Sequence, residues 1–302
     1  MTVRIDIGIC TFQRPQIVDT LRSLAAIKVP KNAELRIIVA DNDDAPSAES
    51  VVAAEKLPFP LIYIHAPSRN ISIARNAVLD NATAPYLAFI DDDETVDPNW
   101  LNGLYDEAIA RQADVVFGPV FAEYPPETPE WIVAGDYHSV TEPATVSQVH
   151  TGPSGNALIH LASSACSGQR FDLTLGKSGG EDTVFFSEIA AHGGKLFFAH
   201  DAHVFEKAAE QRLSADWLIK RRYRYGQSYA TAKIRSSITP FATRVTLVVK
   251  ATLKAAVCYG AVALNTFNNC RRQRWRIRGA LHRGVVSKCF GSKEDTLYGV
   301  SS

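Results

Sequence analysis

Apolar runs that end in acid recur through the first two-thirds of this 302-residue chain, and helical patterns separate them. VRIDIGIC sets Ile5, Ile7 and Ile9 at strand spacing. Residues 11–14 turn the chain, Pro15 suits a first helical position, and Ile17, Val18, Leu21, Leu24 and Ala25 then repeat at helical spacing. ELRIIVADND reads as a second strand, PLIYIHAP as a third, YLAFIDDDE as a fourth and ADVVFGPVFAEY as another. SIARNAVLDNA and PNWLNGLYDEAIARQ read as helices between them. This β-α-β rhythm implies an α/β fold, a mostly parallel sheet with helices on both faces. Such sheets bind ligands at the carboxyl ends of their strands. Asp41 and residues 91–94 stand at two predicted strand ends, which favours a site over a solvated surface.

Pro125, Pro126, Pro129, Pro143 and Pro153 interrupt the rhythm. It resumes with GNALIHLAS, a helix opening at EDTVFFSEIAAHGG and a strand KLFFAHDAHVF; from Ser214 the pattern is helical to about Asn268. Five cysteines without CxxC spacing provide neither a disulfide framework nor a zinc site, so a reducing interior is expected. The opening MTVR leads directly into strand alternation, and no signal peptide is expected. The formal net charge of zero hides a split. Residues 1–200 carry 13 Lys/Arg against 26 Asp/Glu, and residues 201–302 carry 19 against 6. A basic final third points to an anionic partner, nucleic acid or lipid.

FIDDDET admits three chemistries. Asp91, Asp93 and Thr95 match the hydrophobic–Asp-x-Asp-x-Thr pattern of an Asp-nucleophile phosphatase, but no GDxxxD follows to supply its second acidic pair. Alternatively, Asp91 and Asp93 hold a divalent cation, Mg²⁺ or Mn²⁺, which favours oxygen ligands and also binds phosphate oxygens. The third reading is a charged loop after a buried strand.

Four collinear segments choose among them: IGICTFQRP, VADND, SRNISIARN and GGEDTVFF. In that order they resemble an inverting family 2 glycosyltransferase of the GT-A nucleotide-diphospho-sugar transferase fold, over about residues 3–230. The run of IDIGICTFQRP, LRSLAA and VADND is similar to bacterial succinoglycan-type exopolysaccharide glucosyltransferases. The resemblance implies that Thr11 and Arg14 lie beside the nucleotide, that Asp41 accepts from the uracil, and that Arg75 meets diphosphate or ribose. It implies Asp91 and Asp93 as metal ligands, with His203 as a third, and Asp92 at the donor sugar or ribose. Asp182 becomes the general base; inversion needs one base, acting on the acceptor hydroxyl. The structural alternatives are an Asx turn at Asp41, an exposed helix charge at Arg75, acids capping a helix N-terminus at Glu181 and Asp182, and a packed strand histidine at His203. Gly155 and Asn156 are candidates for the acceptor cleft. RRYRYGQSY occupies the place of the processive Q-x-x-R-W motif, which is absent, so single-sugar addition is expected.

The domains expected are a catalytic domain over 1–212, with a nucleotide-binding half to about 124 and an acceptor half over 125–212, and a helical basic region over 213–302. VTLVVKATLKAAVCYGAVALN approaches a bilayer in length, but Lys250 and Lys254 interrupt it, which suits a helix lying in the membrane plane. RRQRWRIRGALHR then suits anionic headgroups rather than nucleic acid. The chain is thus expected to take a UDP-sugar, first of all UDP-glucose, and extend a lipid-linked saccharide at the cytoplasmic membrane face. A catalytically inactive nucleotide- or membrane-binding scaffold is the alternative. Sugar, acceptor, linkage and oligomeric state are left open.

Overall fold

The computed structural model describes residues 2–293. The chain divides into two compact units. Of the described residues, one comprises those up to Phe121 together with Ser139–Glu206; the other comprises Ala122–His138 and residues 207–293.

In chain order the elements are β1 (Val3–Thr11), α1 (Ile17–Ala25), β2 (Ala33–Asp41), α2 (Glu49–Ala54), β3 (Leu61–His65), α3 (Ile71–Asn81) and β4 (Tyr86–Asp91). There follow β5 (Glu94–Val96), α4 (Trp100–Arg111), β6 (Val115–Phe117), β7 (Val120–Glu123) and α5 (Glu130–Gly135). After these come β8 (Gln148–Val149), β9 (Asn156–His160), α6 (Glu181–Ala191), β10 (Leu196–Phe198) and β11 (Val204–Lys207). An eight-stranded sheet runs in the order β3-β2-β1-β4-β9-β6-β10-β8, and a small sheet in the order β5-β11-β7. The first four strands are parallel. β9 runs antiparallel to both β4 and β6, and β8 antiparallel to β10, so the sheet is parallel on one side and mixed on the other.

Strand alternation sorts the apolar side chains into two cores. Ile5, Ile7, Ile9, Ile37, Val39, Ala88 and Ile90 pack with Leu21 and Leu24 of α1 and Trp100 and Leu104 of α4. Ile38, Leu87 and Phe89 pack on the other face, with Ala74 and Val78 of α3 and Phe185, Phe186 and Ile189 of α6. Each fully buried Ile or Leu contributes on the order of 1.5–3 kcal/mol, so slipping any of these strands by one residue would exchange both cores at once.

Several predicted segments divide. YLAFIDDDE ends as a strand at Asp91 and resumes as β5 after a turn. ADVVFGPVFAEY breaks into β6 and β7, and KLFFAHDAHVF into β10 and β11. In both breaks the chain leaves the large sheet for the small one.

The second unit carries α5 and three long helices, α7 (Ala215–Arg235), α8 (Pro240–Leu264) and α9 (Asn269–Cys289). Its division from the first unit differs from the expected one. Residues 125–138 were expected in an acceptor half, yet Ile132 and Tyr137 pack with Leu218 of α7 and Ile277 of α9. The His138 ring lies within hydrogen-bond distance of the Arg212 carbonyl, 3.1 Å from Nε2. Besides the neighbouring Tyr124 and Tyr137, the apolar partners of α5 include Leu218 and Ile277 of the C-terminal helices, which the local pattern of residues 122–138 could not reveal.

Candidate active site

β1 leads through α1 to β2 on one side, whereas β4 pairs with it on the other, so a crevice opens at the carboxyl ends of β1 and β4. Thr11 is in register with Asp41 of β2, and Cys10 with Asp91 of β4. Parallel register therefore brings three of the expected residues to one edge.

The acids surround two arginines. Arg14, on the loop after β1, pairs with Asp93 and lies 3.9 Å from Asp92. Arg75 was weighed against an exposed helix charge; it is buried instead. Its guanidinium pairs with Glu181, stands 3.7 Å from Asp91 and lies 5.5 Å over the Phe171 ring. Asn70 anchors this end of α3: its side chain accepts from the Ser72 and Ile73 amides and donates to the Leu173 carbonyl at 2.9 Å.

Burial and crowding set the charge states. Desolvation and the neighbouring Asp93 push Asp92 up to about 7 against the pull of Arg14. Desolvation likewise lifts Glu181 to about 7, opposed by Arg75. Asp91 is raised by desolvation and by the charges of Asp93 and Asp182, and Arg75 opposes them. Loss of solvent raises Glu94 well above the usual carboxylate range, and Asp91 adds to it. Burial pushes the Cys10 thiol up to about 12, which keeps it neutral. So many raised carboxyls on one strand end mark a place short of positive charge.

Asp91 and Asp93 form an oxygen-only donor set, and the Asp91 side chain is 46% exposed. That fits a hard divalent cation whose other ligands come from phosphate and water. Gly155 belongs to this site as backing: a Cβ there would stand 2.7 Å from Glu94 Oε1 and 3.0 Å from Asp91 Oδ2. Glu94, missed in the sequence because it reads as one more acid in DDDE, accepts from the Asp91 amide at 2.9 Å and fixes the strand end.

Asp182 opens α6 behind Gly179 and Gly180, both in the left-handed region at φ 86° and 87°. Among the described residues its hydrogen bonds all go to Oδ1, which accepts from the Thr183 amide and hydroxyl at 2.6 and 3.2 Å. Its charge acts on both Asp91 and Arg75, which brings it into the cluster.

Three expectations meet a different geometry. Asp41 stands at its strand end but is fully enclosed. Oδ1 accepts from the Asp43 amide at 3.0 Å, as in an Asx turn, and Oδ2 from the Ala48 amide and the Tyr63 hydroxyl at 2.8 and 2.6 Å. Asn156 is equally enclosed. It accepts from the Trp100 indole at 2.8 Å and donates to the carbonyls of Pro119 and Ala202, so it braces β9 rather than lining an acceptor cleft. His203 immediately precedes β11, with its ring 3.1 Å from the His200 carbonyl and edge-on to Phe121. Among the described residues no three His, Cys, Asp or Glu side chains form a metal-holding group.

Known proteins resemble this chain. The chain is 43% identical over 300 residues to the succinoglycan biosynthesis protein ExoM of Rhizobium meliloti, covering 99% of this chain and 96% of that one. A shorter stretch of 92 residues is 27% identical to the glycosyltransferase GlyA of Streptococcus pneumoniae, 30% of this chain and 13% of that protein. Among solved structures, the 1–349 fragment of S. aureus TarS in complex with UDP-GlcNAc superposes with a TM-score of 0.54 at 14% identity, over 96% of this chain and 92% of that one. That likeness shows the GT-A type of fold. The family profile described as glycosyl transferase family 2 matches residues 6–174, and with the near full-length ExoM relative it establishes that this chain belongs to glycosyl transferase family 2.

Proposed function

We propose that the protein is an inverting, metal-dependent glycosyltransferase that adds one sugar from a UDP-sugar to a lipid-linked saccharide, in exopolysaccharide assembly at the cytoplasmic face of the membrane. UDP-glucose is the first donor to test. The observation that carries the reading is the convergence of Asp91, Asp93, Arg14, Arg75 and Asp182 at the β1/β4 crevice. The ExoM relative supports the pathway, and the UDP-GlcNAc bound to TarS supports a uridine nucleotide donor.

Asp91 and Asp93 would hold Mg²⁺ or Mn²⁺, which when bound neutralises charge on a departing diphosphate. Arg14 and Arg75 add fixed positive charge beside that diphosphate. Thr11 and the loop that Asp41 pins form the nucleoside side, and Asp92 faces ribose or the donor sugar. Asp182 removes the acceptor hydroxyl proton as that oxygen attacks the anomeric carbon opposite the leaving group, and the configuration inverts. In the second unit, α8 is long and apolar enough to cross a membrane, by length and composition. Its lysines and its packing along α9 favour a helix lying on an anionic surface.

UDP release measured with a panel of UDP-sugars and Mn²⁺ tests the reading. Asp182→Asn should lower turnover about 10²–10⁴-fold while calorimetric donor binding is retained. Turnover equal to the parent would remove Asp182 from the role of base.

A further inference from the structure

The corner between α8 and α9 has a chemistry that sugar transfer does not use. Asn265 follows α8, and the Asn268 side chain starts α9 by accepting from the Arg271 amide at 2.9 Å. Arg271, Arg274, Trp275 and Arg278 recur at spacings of three and four and so share one helix face. With Asn265 they line a pocket of about 440 Å³. The Arg278 guanidinium lies over the Trp275 ring at 5.6 Å. Among the described residues no carboxylate pairs with Arg271, Arg274 or Arg278. These three cations repel one another, and Arg271, in the first turn, also opposes the positive end of the helix dipole. An anion relieves both penalties at once.

An apolar face adjoins the pocket. Phe241, Val245, Val249, Leu253 and Val257 recur every four residues and are exposed along α8. Leu264 and Phe267, at the corner itself, are 88% and 104% exposed. Lys250 and Lys254 are exposed beside this stripe. A ligand matching the whole surface has a long apolar chain and a compact, multiply charged head. Guanidinium forks bind phosphate in two-pronged fashion, and several in one pocket favour a dianionic phosphate over a singly charged phosphodiester.

We propose that the pocket of Arg271, Arg274, Trp275 and Arg278 binds the phosphomonoester or diphosphate head of a membrane lipid whose chain lies along the exposed face of α8. The inference rests on the membrane-facing reading of the helical unit and is independent of the transfer reaction.

Co-sedimentation of the full chain with phosphatidylcholine vesicles tests it. The vesicles carry phosphatidic acid or phosphatidylglycerol, at matched surface charge. The protein should bind the phosphatidic acid vesicles about tenfold more tightly, one bidentate contact's worth. Arg274→Gln/Arg278→Gln should erase that preference, whereas Lys250→Gln/Lys254→Gln, losing the same charge, should weaken both compositions alike and keep the preference. Thermal melts confirm that both variants fold. Equal binding of the two vesicle types, or equal effects of the two variants, would overturn the pocket. Inorganic diphosphate binding as tightly as the vesicles would make the site one for a free anion, and tighter binding of single-stranded RNA would make it a nucleic-acid surface; either result overturns the lipid assignment. Absence of binding to every vesicle removes the membrane reading along with the pocket and leaves the transferase reading standing. Loss of UDP-sugar turnover with the head preference intact does the reverse.

Discussion

At the residue scale the site is governed by charges that are costly to hold. Arg75 and Glu181 form a buried pair, and Glu181 Oε2 has no hydrogen-bond partner. Removing one partner strands the other, at a cost of about 3–5 kcal/mol. Glu181→Leu and Arg75→Met are each expected to lower the unfolding free energy by that order. The double variant should recover much of the loss while losing turnover, because Arg75 no longer faces Asp91. Additive losses in the urea titrations would mean that the pair is not coupled. Asp92 makes a second, pH-dependent case. Its carboxyl keeps a proton in the folded protein up to about 7, whereas the unfolded chain loses it near 4. The stability it contributes is present below the unfolded value and is lost as the pH rises through about 7. The melting temperature of metal-free protein should therefore fall between pH 5 and pH 7.5, with a slope of up to about 1.4 kcal/mol per pH unit from this group. Asp92→Asn should lessen that slope, leaving the share of Glu181, which is raised in the same direction, and should raise the melting temperature at pH 7.5; saturating Mn²⁺ should lessen the slope as well. A slope unchanged in Asp92→Asn would place its origin elsewhere. The alternation of Ile5, Ile7 and Ile9 and the acids at strand ends were legible in sequence. The partners were not: Glu181 lies 106 residues from Arg75, and nothing local to either encodes the contact.

At the element scale the structure depends on brackets between strands. Asn156 begins β9 and joins it to α4 through Trp100, and to the loops after β6 and β10 through Pro119 and Ala202. Asn156→Ala leaves a buried indole N–H and two buried carbonyls without this partner, each costing about 1–3 kcal/mol. The expected result is a drop of at least about 2 kcal/mol in unfolding free energy, read by chemical denaturation, with a smaller effect on donor affinity. Gly155→Ala should do the opposite. Its Cβ would press on Glu94 and Asp91 rather than on the core. The apparent Mn²⁺ affinity should weaken several-fold in metal titrations of UDP release, with little change in melting temperature. The sequence showed where most strands and helices lie, because period-2 and period-3.6 patterns are local. It did not show that β9 reverses direction, or that long apolar segments break to feed a second sheet, because both depend on which strand offers a free edge.

For the whole molecule, the charge asymmetry is a property of the units. α9 carries Arg271, Arg272, Arg274, Arg276, Arg278, Arg283 and Lys288 and no acid, while the crevice of the first unit is ringed by carboxylates. The segment Ala122–His138 makes the units interdependent in sequence. A chain ending at residue 212 would leave Ile132 and Tyr137 without Leu218 and Ile277. Such a truncation is expected to bind a hydrophobic dye and to aggregate at concentrations where the full chain stays dispersed. A soluble, dye-silent 1–212 fragment would contradict that packing. What the sequence determined by itself was the α/β rhythm, the acids at the strand ends, the order of the family's motifs and the basic, apolar character of the final third. These are patterns of composition and period carried by neighbours along the chain. Tertiary structure alone decided that Asp41 is enclosed by Tyr63 and two amides, that the His203 ring meets the His200 carbonyl and Phe121, that Glu181 pairs with Arg75, and that α5 belongs with the C-terminal helices. Each of those outcomes depends on which distant side chains compete for the same buried space, and that competition exists only once the chain has folded.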